Sequence, residues 1–148
     1  MAEGTVQSIE IPASPDSIFE VLSDLEAYPE WITAMRHVEI LERDGNDRPR
    51  RVNFLVDAMI KEIAYDLDYE YEPPRRMSWT AVPGDDIRQM VGSYELTELE
   101  GGGTDVVYAL MVEPEFKVPG FLRRQAEKQL ISSALRGLKK RVEALSTG

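Results

Sequence analysis

The residues with chemistry to offer in this sequence are tyrosines that recur at every second position. Within residues 61–72 one series of positions is acidic and the other is apolar or aromatic, the latter being Ile63, Tyr65, Leu67, Tyr69 and Tyr71. Such alternation predicts a strand with one face buried and one in water. A buried tyrosine hydroxyl needs a hydrogen-bond partner. We therefore expect a neighbouring protein group or a bound ligand to supply it.

Arg88 is the arginine whose position suggests polar recognition. It shares a predicted strand face with Met90 and Tyr94, so an inward orientation of that face would aim its guanidinium into the interior. A guanidinium there would bind a carboxylate, an enolate or a quinone oxygen. The alternative, favoured because arginine is rarely buried, is that Arg88 lies exposed at the start of its strand beside Asp85 and Asp86.

The sequence offers little to hold a metal or an organic cofactor. It has no cysteine and one histidine, His37, which excludes disulfides and thiolate chemistry and argues against a transition-metal site. His37 lies on the strand face opposite Val38 and is expected at the surface. The glycines at 101–103 precede a strand pattern rather than a helix, so they form a turn and not a phosphate-binding loop. We expect no cofactor.

The chain predicts the order strand, two helices, six strands, helix. Strands are expected over residues 5–11, 36–43, 51–57, 61–72, 77–82, 87–99 and 104–112, as consecutive members of an antiparallel meander. Ser14 is a predicted helix N-cap and Pro15 the first helical residue, which starts a helix that ends at Asp24. A second short helix follows over residues 25–32.

The last thirty residues predict one long amphipathic helix. Its apolar residues recur at three- and four-residue intervals and are Leu122, Ala126, Leu130, Ala134, Leu138, Val142 and Leu145, with Ile131 and Leu135 beside them. We expect this stripe to pack across the concave face of the sheet. A helix laid on a strongly curved sheet leaves an internal pocket, the usual kind of site for a small ligand.

Length and charge limit the class of protein. With 148 residues, 43% of them hydrophobic, the chain should form a single domain over residues 1–148. Its net charge of −10 would repel nucleic-acid phosphates, and we expect no nucleic-acid partner. The basic face of the last helix is interpreted as solvated surface. Because no apolar run reaches about 18 residues and no leader pattern is present, we expect no membrane insertion and a cytoplasmic, bacterial-type protein, as a monomer or homodimer.

Several segments together resemble the START-like superfamily, also called SRPBCC. They are "IEIPASPDSIFEVLSDLEAYPEW" at residues 9–31, "GSYEL" at 92–96, "GGGTDVVYAL" at 101–110, and "VPGFLRRQAEKQL" at 118–130 leading into "LKKRVEAL" at 138–145. The superfamily includes polyketide cyclase/dehydrases, coenzyme Q-binding START-like proteins and the birch pollen allergen type. The resemblance implies an α+β helix-grip fold, in which a seven-stranded curved antiparallel sheet wraps around a long C-terminal helix and two short helices follow strand one.

The expected ligand site lies between the sheet and the C-terminal helix. The candidate binding residues are Trp31, Met35, Phe54, Val56, Tyr65, Leu67, Tyr69, Trp79, Arg88, Met90, Tyr108 and Leu122. The favoured function is non-catalytic binding or transport of a small hydrophobic ligand, such as a lipid, an isoprenoid quinone or an aromatic polyketide.

Two other functions remain open. A polyketide aromatase/cyclase or dehydrase would use Arg88 and Tyr65 as catalytic residues in the same cavity. Similar cyclases carry arginines on the middle strands, whereas residues 52–71 contain none. A protein-interaction module with a filled core is the third possibility.

Overall fold

The computed structural model describes residues 4–58 and 61–147. The elements in this part of the chain are β1 (Thr5–Ile11), α1 (Pro15–Ser23), a 3₁₀ turn (Leu25–Ala27), α2 (Tyr28–Trp31), β2 (Met35–Arg43), β3 (Pro49–Asp57), β4 (Glu62–Glu72), β5 (Arg76–Val82), β6 (Ile87–Glu98), β7 (Thr104–Pro114) and α3 (Gly120–Thr147). The predicted order is confirmed, and the bounds of the predicted strands differ by at most two residues at either end.

The seven strands form one curved antiparallel sheet in the order β1-β7-β6-β5-β4-β3-β2. The two edges are therefore β1 and β2. Together with α3 and the two short helices, the sheet forms the helix-grip fold that the sequence predicted. Its inner face, the concave one, carries the core residues that alternate with exposed ones along each strand.

Local sequence signals define the first helix. The Ser14 side chain accepts a hydrogen bond from the Ser17 backbone N–H at 3.2 Å, and Pro15 is the first helical residue. The first backbone N–H groups of a helix have no acceptor within the helix. The Ser14 side chain accepts from one of them, and Pro15 has no N–H to satisfy. The helix then buries Ile18 and Leu22 completely against the core.

The apolar stripe predicted for α3 is wrong in its first half and at its last residue, Leu145. The residues that face the core are Glu127, Ile131, Ala134, Leu135, Leu138 and Val142, whereas Leu122, Ala126, Leu130 and Leu145 are exposed. The reason is geometric: with about 3.6 residues per turn, a row spaced by four residues drifts about 40° at each step. From Leu122 to Val142 the row winds about 200° around the helix, so its two ends cannot face the same sheet.

Helix α3 is fastened to the edge strand β1 by polar contacts. The Gln7 side-chain amide donates to the Lys128 carbonyl oxygen at 3.3 Å, and Ser132 Oγ donates to Gln7 Oε1 at 2.6 Å. The helix thereby covers an edge that would otherwise stay open to pairing with another strand. None of the helices within residues 4–58 and 61–147 combines the length and apolarity needed to cross a membrane.

Candidate functional site

A cluster of aromatic rings covers the inner face of the sheet. We call it the aromatic cluster, and it consists of Phe54, Tyr65, Tyr69, Tyr71, Trp79, Tyr94 and Tyr108. The register of the sheet creates it, because three of its ring pairs are direct cross-strand partners. These pairs are Phe54 with Tyr65, Tyr69 with Trp79, and Tyr94 with Tyr108.

The rings in these pairs lie in contact. Their centroids are 5.7 Å apart for Phe54 and Tyr65, 5.7 Å for Tyr69 and Trp79, and 4.4 Å for Tyr94 and Tyr108. Aromatic pairs at these separations contribute roughly 0.5–1.5 kcal/mol each beyond the area they bury. The aromatic cluster is thus a closely packed apolar surface that holds its phenol groups at fixed positions.

Gly92 makes room for the largest ring of the cluster. It stands directly opposite Trp79 in the register of β5 and β6. A methyl group built at Gly92 would lie 2.3–2.5 Å from three atoms of the Trp79 indole. The indole therefore lies flat against the backbone of β6, a position that only a residue without a side chain permits.

The phenols of the aromatic cluster stay protonated. Burial raises the pKa of Tyr65, Tyr69, Tyr94 and Tyr108 above the usual value, and neighbouring tyrosines add to the effect at Tyr69 and Tyr94. Tyr71 donates its hydroxyl hydrogen to the Pro49 carbonyl oxygen at 2.5 Å. At neutral pH a protonated phenol such as Tyr65 or Tyr69 can donate a hydrogen bond to a ligand, but it cannot act as a base.

The predicted inward position of Arg88 is wrong. A β-bulge between Ile87 and Gln89 shifts the register with β7, so that Arg88 and Gln89 both face solvent. The Arg88 side chain is 61% exposed, and its Nε lies 3.1 Å from Glu115 Oε1. The exposed, ion-paired alternative is correct in kind, although the partner is Glu115 rather than Asp85 or Asp86.

The other predicted binding residues differ in how far they are buried. Those buried on the inner face are Phe54, Val56, Leu67, Tyr69, Trp79, Met90 and Tyr108, while Met35 and Tyr65 are half-buried. Leu122 is 44% exposed and does not face the core, because it lies on the drifting row of α3. The structure therefore brings most of the predicted set together and leaves Arg88, Leu122 and Trp31 outside it.

Trp31 occupies a different place from the aromatic cluster. It packs against α3 at Gly137, where an added methyl group would lie 3.0 Å from the Trp31 carbonyl oxygen and 3.3 Å from its ring. It lines an open groove of about 750 Å³ between α1 and the C-terminal turns of α3. Its Nε1 is shielded from solvent and has no hydrogen-bond partner among the residues that the structure describes.

Sequence reasoning missed two polar residues on the inner side of α3. Glu127 is only 3% exposed, and its carboxylate accepts hydrogen bonds from Thr5 Oγ at 2.9 Å and from the Val112 backbone N–H at 2.8 Å. Arg123, one turn earlier, is half-buried, and its Nε is shielded from solvent without a hydrogen-bond partner in the described part of the chain. The sequence did contain a signal for both residues, because Arg123, Glu127 and Ile131 follow one another at intervals of four residues.

Three loops meet at one end of the sheet. Lys61 Nζ lies 3.2 Å from Asp86 Oδ1, and the same carboxylate accepts the Ala64 backbone N–H at 2.9 Å. The Lys61 ammonium also lies 5.3 Å from the centre of the Phe116 ring. Throughout the described ranges, no three His, Cys, Asp or Glu side chains are grouped as a metal site would require.

Solved structures share this architecture at low sequence identity. A START superfamily protein from Mycobacterium smegmatis matches with a TM-score of 0.88 and 23% identity, over 96% of this chain and 98% of that one. An aromatase/cyclase, Zhui, from Streptomyces sp. R1128 matches with a TM-score of 0.83 and 16% identity, over 97% and 94%. A protein from Thermus thermophilus matches with a TM-score of 0.81 and 26% identity, over 97% and 99%.

At the level of sequence, a search of curated proteins found no match. The family described as "Polyketide cyclase / dehydrase and lipid transport" matches residues 4–143, nearly the whole chain. The inner-face cluster, the grip of the sheet on α3 and this match agree with the START-like resemblance. The chain belongs to the polyketide cyclase/dehydrase and lipid transport family of the START-like superfamily.

Proposed function

We propose that this protein binds a small hydrophobic ligand between the inner face of the sheet and α3, and carries it without chemical change. The observation that supports this most is the aromatic cluster, which offers apolar contact area together with protonated phenols. Rings of this kind favour a ligand with a planar or unsaturated body, because offset and edge contacts between rings add to simple burial. The lipid transport named in the family description is consistent with the proposal.

Catalysis as a cyclase is the second candidate. The structural match to an aromatase/cyclase raises it, but that likeness concerns the fold. A cyclase needs a group that stabilises a developing enolate. Arg88 is paired with Glu115, and Arg51, on β3, holds Asp68 through bonds of 2.7 and 3.0 Å. Neither guanidinium is available to the inner face.

Tryptophan substitutions test the proposal. The probe is N-phenyl-1-naphthylamine, an uncharged dye made of a naphthalene and a phenyl ring, whose fluorescence rises in apolar surroundings. Trp79→Leu should weaken its binding roughly tenfold or more, as truncation of a central buried aromatic does. Trp31→Leu is the matched control, since Trp31 lies in the groove beside α1. Equal weakening by both substitutions, or no binding to the wild type, would refute the proposed site.

A turnover assay distinguishes the carrier proposal from the cyclase alternative. Wild type and Arg88→Ala are compared on a model poly-β-ketone, and thermal melts confirm that the tryptophan variants remain folded. We expect no cyclisation by either protein. Cyclisation by the wild type above the uncatalysed rate would refute the carrier proposal, whether or not Arg88→Ala lowers that rate. Native mass spectrometry of the purified protein would identify a bound apolar molecule directly.

A further inference from the structure

Helix α3 has two flanks with different neighbours. One flank faces β1, through the Lys128 carbonyl and the Ser132 hydroxyl. The opposite flank faces α2, where Gly137 meets Trp31 and Arg141 Nη2 lies 3.1 Å from Glu30 Oε1. We call this second side the α2 flank.

Arg123 lies on the α2 flank, ahead of α2 itself. It precedes Arg141 by 18 residues, which is about five full turns, so the two side chains leave the helix in the same direction. Arg141 finds Glu30, but α2 does not extend along the helix as far as Arg123, about 27 Å away along the axis. Within residues 4–58 and 61–147, no carboxylate lies beside Arg123 in the way that Glu30 lies beside Arg141.

The Arg123 guanidinium is left without an acceptor. Its Nε is shielded from solvent, and within residues 4–58 and 61–147 its side chain forms no hydrogen bond or ion pair. The nearest carboxylate along the helix is Glu127, whose two oxygens are held by Thr5 and Val112. A shielded donor of this kind lowers stability unless something accepts from it.

Apolar surface adjoins the unpaired guanidinium. Leu130 follows Arg123 by seven residues and therefore lies on the same flank, yet it is 42% exposed. Ala126 lies between them and is exposed as well. A cation without a partner next to uncovered apolar side chains matches an amphipathic ligand with an anionic end.

We propose that Arg123 binds the acidic group of the ligand, and that the ligand is an amphipathic organic acid: an apolar body with one anionic oxygen group. This inference rests on the proposed function and names its ligand class. A guanidinium is permanently charged and presents its donors in a planar fork, which suits an oxyacid better than a neutral carbonyl. Arg123, on the helix, thereby takes over the carboxylate-binding role that the sequence suggested for Arg88.

A matched pair of dyes tests the inference. 8-Anilinonaphthalene-1-sulfonate and N-phenyl-1-naphthylamine share the N-phenylnaphthylamine body, and only the first carries an anionic group. Arg123→Gln should weaken binding of the sulfonate dye roughly tenfold or more, and of the neutral dye less than about twofold. Arg124→Gln is the control, because Arg124 is the next residue and exposed; it should change neither affinity by more than about twofold.

A thermal melt accompanies the binding data. Arg123→Gln should not lower the melting temperature, since it removes a shielded Nε donor that has no partner. Equal loss of both dyes, an unchanged affinity for the sulfonate dye, or the same effect from Arg124→Gln would overturn the inference. If the neutral dye binds the wild type in any of these cases, the proposed function survives. If neither dye binds, both proposals fail.

Discussion

Adding one methyl group at Gly92 should destabilise this protein more than its size suggests. The new Cβ would lie 2.3–2.5 Å from three indole atoms of Trp79, about 1 Å closer than the 3.4 Å at which ordinary contact begins. Trp79 cannot retreat easily, because Tyr69, Tyr94 and Tyr108 surround it with centroids 5.5–5.7 Å away. The strand or the ring must therefore move.

The expected loss follows from the cost of overpacking. Forcing a methyl group into a filled core costs about 1–3 kcal/mol. For a chain of this length each kcal/mol corresponds to roughly 2–4 °C, so Gly92→Ala should melt about 2–12 °C below the wild type. The measurements are a thermal melt and urea unfolding, followed by far-ultraviolet circular dichroism and by tryptophan fluorescence.

A second glycine supplies the control. Gly45, in the turn between β2 and β3, has no atom within 4 Å of the position where its Cβ would lie, and its φ is not in the left-handed region. Gly45→Ala should change the free energy of unfolding by less than about 0.5 kcal/mol. The double substitution Gly92→Ala with Trp79→Leu should lower the free energy of unfolding by less than the sum of the two single losses, and the difference should be about 0.5–3 kcal/mol. Additive losses, or a Gly92→Ala variant as stable as Gly45→Ala, would refute the proposed contact.

Two further predictions concern buried polar groups. Glu127→Gln should lower the free energy of unfolding by about 1–3 kcal/mol, because Thr5 and Val112 donate to different carboxylate oxygens and glutamine replaces one of these with an NH2 group that cannot accept. Urea unfolding measures this, and a loss no larger than that of the exposed Gln125→Ala would contradict it. The raised pKa values of the tyrosines in the aromatic cluster favour the folded state while the phenols are protonated. Their contribution to stability is therefore complete below the pKa of a tyrosine in the unfolded chain, about 10. It is lost as the pH rises above that value towards the pKa values of the folded protein. Absorbance at alkaline pH should show these phenols ionising together with unfolding, and reversible ionisation near the ordinary pKa in folded protein would contradict the prediction.

Local patterns in the sequence were sufficient to predict the elements. The alternation in β4 identifies its buried face before any partner strand is known, since side chains of a strand point to opposite faces in turn. Ser14 and Pro15 mark the start of α1 by chemistry that acts within four residues. Most of the inner-face residues followed from the same alternation, which is why Phe54, Tyr69 and Tyr108 were predicted together.

Where one residue is inserted or a spacing drifts, local patterns fail. The bulge at Arg88 reverses the alternation of β6, and nothing in the residue types at 87–89 announces it. The row that begins at Leu122 has the spacing of a buried stripe over any two turns, but its small drift accumulates along the helix. Both errors concern long-range geometry, and both fell on residues predicted to bind the ligand.

The sequence by itself determined the order of elements, the fold class and the apolar, aromatic character of the inner face, because each depends on contacts between near neighbours or on a period of two or 3.6 residues. Tertiary structure alone decided which polar groups have partners. Glu127 is satisfied by Thr5, which is 122 residues away in the chain, whereas Arg123, one turn earlier, is not satisfied. Whether a buried charge is paired depends on what the fold brings opposite it, and that is a property of the assembled sheet and helix.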